Sequence, residues 1–314
     1  MRILITGING FSGFHLYDIL DRKKDEIWGI DKCEKFNNKY DDINIIKCDL
    51  TNYSEVEQVI KKIRPHKIYH LAAFVYVGRK DINPDRIFTT NIIGTLNLLR
   101  AIQESNIKSR ILIVGSAEEY GVIPQEQMPI KEDYSLNPNN LYGVSKKLQE
   151  EVGKYYYRIY NYNIEILFTR TFHYCGPFQP KGFVFADFAS QVVEIENSDI
   201  NYIKVGNLKA KRDFTDIRDV VNAYKIIMEE GTPGNVYNVC SGELISIEDI
   251  LKKFLQYAKK YIKIIIDKKK LRPLDVPIFV GDNSKLKSLG WKRKYNIDDS
   301  IKDIINSWRT IKNN

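Results

Sequence analysis

Met1-Arg2-Ile3-Leu4-Ile5-Thr6-Gly7-Ile8-Asn9-Gly10-Phe11-Ser12-Gly13 opens the chain and decides how its fold is read. The apolar run Ile3-Leu4-Ile5 has the length and β-branched character of a short buried strand. Three glycines at three-residue intervals follow, and Phe14, Leu16 and Leu20 begin a helical spacing beyond them. The glycines therefore fall on the turn from a first strand into a first helix. A dinucleotide pyrophosphate fits such a turn: glycine lets the backbone approach the phosphates, and the helix N-terminus presents unpaired N–H groups to their charge. Any tight turn collects glycine, so the strand before the run and the helix after it carry the inference.

A βαβ unit of this kind places an acidic residue about 20 positions beyond the glycines, where it holds the ribose hydroxyls. Asp31, which closes Ile27-Trp28-Gly29-Ile30, stands there. Its carboxylate repels a ribose 2′-phosphate and so favours NAD(H), with NADP(H) left open by the adjoining Lys32. Residues 43–47, 67–71, 111–114 and 164–168 read as strands three to six, the third ending in Cys48-Asp49-Leu50 and the fourth in Ala72-Ala73. Strands alternating with helices predict an α/β fold, a Rossmann-type doubly wound parallel sheet covered on both faces. This rhythm spans residues 1–170, the expected NAD(P)-binding lobe. It breaks at Cys175-Gly176-Pro177-Phe178-Gln179-Pro180, and residues 171–314 are expected to form mainly a smaller α/β substrate-binding lobe. Parts of 213–245 are expected to return and complete the first lobe.

The 314 residues, 43% hydrophobic and 28% charged, suit a globular chain with a large core. No apolar stretch approaches the length of a membrane span, and the opening lacks a signal-peptide pattern, so a cytoplasmic location and no membrane partner are expected. Cys33, Cys48, Cys175 and Cys240 show neither pairing nor metal-ligand spacing, which predicts reduced thiols and no metal. The net charge of +8 is spread along the chain without a nucleic-acid motif. Its expected role is a positive field for an anionic nucleotide substrate, with no nucleic-acid partner.

Tyr142 and Lys146 lie four residues apart, and Leu148, Val152, Tyr155 and Tyr156 continue a helical periodicity, so the two share a helix face. An ammonium beside a phenol is expected to lower its pKa and ready it for proton exchange near neutrality. Gly115-Ser116-Ala117-Glu118-Glu119-Tyr120-Gly121 follows the fifth strand, at the edge where open α/β sheets bind ligands.

Over nearly its whole length the chain resembles the extended short-chain dehydrogenase/reductase family, which acts on nucleotide sugars. The resemblance implies that Tyr142 is the acid/base, that Lys146 tunes it and holds the cofactor ribose, and that Ser116 bonds the reacting sugar oxygen. It implies a cofactor site of Gly7, Gly10, Phe11, Ser12, Gly13 and Asp31, with Asp49 and Leu50 on the adenine and Leu71, Ala72 and Ala73 along the nicotinamide side. The run Val205-Gly206-Asn207-Leu208-Lys209-Ala210-Lys211-Arg212-Asp213-Phe214 resembles one found in enzymes of GDP-mannose conversion. From this likeness Asn207, Arg212, Arg272 and Asp275 are expected on the substrate, the two arginines on its diphosphate. His173 stands where the family usually has Asn beside the sugar, and Asn140-Leu141 replace the usual Ser-Pro before the tyrosine.

The activity implied is NAD(P)-dependent hydride transfer at carbon 4 of a GDP-linked sugar, foremost reduction of GDP-4-keto-6-deoxy-mannose or a related GDP-hexose or heptose. A 4,6-dehydratase with Glu118 as base is the alternative enzyme, and a non-catalytic NAD(P) sensor the alternative of another class. Helices beginning near Thr90 and Tyr142 are expected, by the same resemblance, to join subunits in a homodimer or higher homo-oligomer.

Overall fold

The computed structural model describes residues 1–33, 43–75, 83–271 and 276–313. β1 (Arg2–Thr6) passes through the glycine turn into α1 (Phe11–Ile19), and β2 (Glu26–Asp31) returns parallel to β1. Next come β3 (Asn44–Lys47), α2 (Tyr53–Ile63), β4 (Lys67–His70), α3 (Pro84–Phe88), a π-helical turn over Thr89–Ile93, α4 (Gly94–Glu104), β5 (Ser109–Ser116), α5 (Leu141–Tyr160) and β6 (Ile164–Thr171). The later elements are β7 (His173–Cys175), α6 (Val184–Glu196), β8 (Tyr202–Val205), β9 (Lys211–Asp216), α7 (Ile217–Glu230), β10 (Val236–Val239), β11 (Leu244–Ser246), α8 (Ile247–Gln256), β12 (Lys263–Ile266), β13 (Ile278–Phe279), α9 (Ser284–Ser288) and α10 (Ile297–Asn313).

Seven strands form one sheet in the order β10-β6-β5-β4-β1-β2-β3, every neighbouring pair parallel. Alternation of side chains along β1 supplies both faces: Ile3 and Ile5 pack with Leu16 and Tyr17 of α1 and with Val220, Tyr224 and Ile227 of α7. Leu4 points the other way, into a core shared with Val56 and Ile60 of α2 and Leu98 and Ile102 of α4. Chain order reverses between β1 and β4, so the crevice at their carboxyl ends lies between the glycine turn and residues 71–73, where such sheets take ligands.

A second sheet joins β9 to β11, β13 and β7. A further core of Phe185, Phe188, Ile250, Phe254, Ile301 and Ile305 packs α6, α8 and α10 together. Asp213–Asp216 thus lie in this smaller sheet, because β9 pairs with β7 and β11, whereas α7 and β10 run back to the large sheet.

Candidate active site

Gly7 adopts φ +71°, and a Cβ there would sit 2.8 Å from the Ala72 Cα; a Cβ on Gly13 would lie 2.6 Å from the Gly7 carbonyl oxygen. Only glycine allows β1, α1 and the Ala72 turn to close on one another so tightly. α1 carries no acidic residue in its first turn, so nothing competes with a phosphate for its N–H groups. Asp31 ends β2 beside this turn and accepts the Asn9 backbone N–H at 3.1 Å, while the Asn9 amide donates to the Cys33 carbonyl at 2.7 Å. Asn9, between the glycines, carries no signal in the sequence by itself. Ser12 donates to the Tyr174 hydroxyl at 3.3 Å, and Phe11 stacks on the Tyr174 ring at 6.0 Å. The turn, the helix end and the acid together fit a dinucleotide.

Asp49 and Leu50 follow β3. Asp49 bonds the Thr51 backbone N–H and hydroxyl at 2.9 and 2.8 Å, and pairs with Lys32 at 3.1 Å. The Leu50 carbonyl takes the Asn97 amide at 2.8 Å. Ala72, between Leu71 and Ala73, donates its N–H to the Thr6 hydroxyl at 3.1 Å.

Ser116 closes β5, and Tyr142 and Lys146 lie on the first turns of α5, whose N-cap is Asn140. The Ser116 hydroxyl lies beside the Tyr142 phenol, close enough to act on its ionisation. Lys146 is buried and donates to the Val114 carbonyl and to Gln149 Oε1, both at 2.8 Å. Two of its three N–H bonds are used there. The expectation of a depressed phenol pKa is corrected: burial pushes Tyr142 upward, Tyr174, Glu119 and Glu118 add to it, and the nearby Ser116 hydroxyl acts the other way. Burial also brings the Lys146 ammonium down to about 8, opposed by Glu119. Tyr142 is accordingly a protonated phenol at neutral pH, suited to giving a proton.

Asn140 makes two bonds that no helical periodicity reveals. Its Oδ1 accepts the Gly143 N–H at 2.8 Å, capping α5, and its Nδ2 donates to Glu118 Oε2 at 2.7 Å. An Asn one residue before an apolar helical pattern is a capping signal that could have found the first of these.

Behind Ser116 lies a buried charge cluster. Arg170 grips both oxygens of Glu150, at 2.7 and 3.0 Å, and approaches Glu119 at 3.7 Å. Glu119 also accepts the Ser116 N–H at 2.7 Å. Burial, reinforced by the Glu150 charge, raises Glu119 well above the carboxylate range. Glu150, by contrast, is held low against burial by Arg170 and Lys154.

His173 begins β7 with its ring against Phe214 and Phe279, 5.6 and 6.1 Å away. Asn207, on an exposed turn, accepts the Lys209 N–H at 3.0 Å, and Arg212 of β9 donates to the Lys211 carbonyl at 2.9 Å. Arg272 and Asp275 lie outside the described residues. Among the described residues no group of three His, Cys, Asp or Glu side chains could hold a metal ion.

His70 ends β4, fully buried, and burial lowers its imidazole pKa to about 3. The folded protein then refuses a proton that the unfolded chain takes up below about pH 6.5, so stability falls as the pH drops from 6.5 toward 3. The expected slope from this group approaches about 1.4 kcal/mol per pH unit, or about 2 kcal/mol lost at pH 5. Urea unfolding of the wild type and His70→Asn at pH 7 and pH 5 checks it: the wild type should lose more on acidification than the variant. Equal losses would remove His70 from the acid response.

A doubly wound parallel sheet with a glycine turn at its switch point and a Ser-Tyr-Lys set at the end of β5 and start of α5 defines an extended short-chain dehydrogenase/reductase. The chain belongs to the GDP-mannose 4,6 dehydratase family, whose model matches residues 4–304. It is similar to a GDP-6-deoxy-D-mannose reductase from Pseudomonas aeruginosa, 28% identical over 98% of this chain and 97% of the relative. A GDP-6-deoxy-D-talose 4-dehydrogenase from Aggregatibacter actinomycetemcomitans is 30% identical over 91% of this chain and 90% of its own. Among solved structures, RMD from Pseudomonas aeruginosa complexed with NADPH superposes with a TM-score of 0.85 at 27% identity, covering 99% of both chains.

Proposed function

We propose that this protein is an NAD(P)H-dependent reductase acting at carbon 4 of a GDP-linked keto sugar, of the 4-keto-6-deoxy-mannose type or a close hexose or heptose relative. The reductase and the 4-dehydrogenase among its relatives support the substrate class. When bound, the reduced nicotinamide supplies the hydride. Tyr142 gives its phenolic proton to the carbonyl oxygen as carbon 4 is reduced, and Ser116 holds that oxygen by its hydroxyl. Lys146, with one N–H left beyond Val114 and Gln149, bonds the nicotinamide ribose and offsets the charge left on the phenol. Gly7, Gly10, Phe11, Ser12 and Gly13 take the pyrophosphate and Asp31 the adenosine ribose. Asp49 and Leu50 border the adenine, Leu71, Ala72 and Ala73 the nicotinamide. His173 faces the sugar, Asn207 touches the substrate, and Arg212 holds the nucleotide diphosphate.

Asp31 favours NAD(H), and Lys32, engaged with Asp49, is drawn away from a 2′-phosphate. NADP(H) stays within reach, since the similar RMD carries NADPH. Residues 1–170 with α7 and β10 are read as the cofactor lobe and the remainder mainly as the substrate lobe. An exposed apolar stripe of Leu141, Leu148, Tyr155 and Ile159 along α5, with Ile93 nearby in sequence to α4, supports a homodimer through these helices. No helix among the described residues is long and apolar enough to cross a membrane.

The observation that carries reductase over dehydratase is the Asn140 bond to Glu118. Dehydration needs a base to remove the proton at carbon 5; here one Glu118 oxygen is taken by the amide that also caps α5, which favours a structural task for this carboxylate. The test is cofactor stoichiometry. Each product formed from GDP-4-keto-6-deoxy-mannose should oxidise one added NADH or NADPH, and Glu118→Gln, which can still accept from Asn140, should retain most of this activity. Conversion of GDP-mannose to its 4-keto-6-deoxy product without net cofactor change, abolished by Glu118→Gln, would replace this reading with the dehydratase.

A further inference from the structure

We propose that His70, Thr95 and Gln149 are positioning residues that lock the Lys146 ammonium and the Ala72 turn into one unit, so that both grips on the nicotinamide nucleoside are set together. The inference rests on the reading above, in which Lys146 and the Ala72 turn hold that part of the cofactor.

An unbroken line of hydrogen bonds joins the two places. Ala72 N–H meets Thr6 Oγ1 at 3.1 Å, and Thr6 Oγ1 meets His70 Nδ1 at 2.7 Å. His70 Nε2 meets Thr95 Oγ1 at 2.8 Å, Gln149 Nε2 meets the same oxygen at 2.7 Å, and Gln149 Oε1 takes the Lys146 ammonium at 2.8 Å. Thr6, His70, Thr95 and Gln149 are all 0% exposed, so water cannot replace a missing partner.

Donor and acceptor roles along the line follow by elimination. The Thr95 hydroxyl spends its one proton on the Asn91 carbonyl at 2.7 Å, so Thr95 Oγ1 can only accept from His70 and Gln149. The His70 proton must then be on Nε2, which leaves Nδ1 as the acceptor of the Thr6 hydroxyl proton; the tautomer is assigned from this network. Thr6 in turn is free to accept from Ala72. Gln149 is oriented by the same logic: its amide nitrogen serves Thr95 and its oxygen serves Lys146. Every group has a single role, so turning one side chain breaks the bonds on both sides of it. Strands β1 and β4 and helices α4 and α5 each supply one member, which makes the line a tie between the cofactor turn and the helix bearing Tyr142.

The test is a double-mutant cycle with Thr6→Val and Thr95→Val, which keep side-chain volume and shape while cutting the line on either side of His70. The readout is the Kd of NADH or NADPH, whichever the wild type binds more tightly, from nucleotide fluorescence without any sugar present. Each single variant should weaken binding about fivefold, the scale of one lost buried hydrogen bond. The double variant should be little worse than the weaker single, because a line already cut transmits nothing further; independent sites would multiply to about 25-fold. Thr6→Ser and Thr95→Ser, which restore the hydroxyl, should recover wild-type affinity. Multiplying effects, or unchanged affinity in both Val variants, overturns the proposal. Should Thr95→Val fail to fold, Gln149→Met cuts the same line one link nearer the lysine and carries the cycle. A wild type that binds the nucleotide but reduces no keto sugar defeats the proposed function and leaves this cycle readable, whereas normal reduction with multiplying effects defeats only the relay.

Discussion

Tyr142→Phe is expected to lower turnover at least about a hundredfold, equivalent to about 2.7 kcal/mol of barrier, while leaving nucleotide affinity nearly unchanged. The substitution deletes one hydroxyl and keeps the ring that packs the site. That hydroxyl lies beside Ser116, and its environment holds the proton on: burial acts with the nearby Tyr174, Glu119 and Glu118 to push the phenol upward. A donor so poised gives its proton only when negative charge develops on the substrate oxygen, as it does during hydride addition. Steady-state kinetics and nucleotide titration on the same preparation separate the two quantities. Near-normal turnover would remove Tyr142 from the chemistry, and a parallel loss of nucleotide binding would show that it serves the cofactor as much as the substrate.

Arg170→Leu is expected to cost about 3–5 kcal/mol of stability, because it strips the partner from a buried carboxylate. Arg170 is 3% exposed and Glu150 2%. The guanidinium makes two bonds to Glu150 at 2.7 and 3.0 Å and others to the Tyr120 hydroxyl at 3.1 Å and the Glu132 carbonyl at 2.8 Å. Without it the cation left beside Glu150 is Lys154, 2.7 Å away on the next turn of α5. The midpoint of thermal unfolding should fall on the order of 10 °C. Adding Glu150→Leu should recover much of the loss, since replacing both partners leaves no orphaned charge, whereas the isolated second change should be destabilising by itself. A loss below about 1 kcal/mol in Arg170→Leu would mean that the pair is relaxed and hydrated in solution.

The elements whose signals are local were legible from residue order. Ile3-Leu4-Ile5 before the glycines makes β1, and the spacing of Phe14 and Leu16 makes α1; the acid at Asp31 follows because a βαβ unit has a fixed span. Tyr142 and Lys146 share a face of α5 because helix pitch places residues four apart together. What these groups do to one another depended on elements far away in sequence. A lysine beside a phenol suggests a depressed pKa; in the fold the ammonium is turned to Val114 and Gln149, and burial of the phenol, with a ring from β7 and carboxylates after β5 nearby, makes the shift upward. Of the 213–245 stretch expected to complete the first lobe, α7 and β10 do return to the large sheet, while strand pairing with β7 and β11 places Asp213–Asp216 in the smaller one. The Asn140 bond to Glu118 and the line through His70 had no sequence signal, since hydrogen-bond partners 22 to 66 residues apart obey no periodicity. Propensity and pitch act over a few residues and are written in the chain; burial, ion pairing and hydrogen-bond direction arise only when the sheet brings Thr6, His70, Thr95 and Gln149 to the same place.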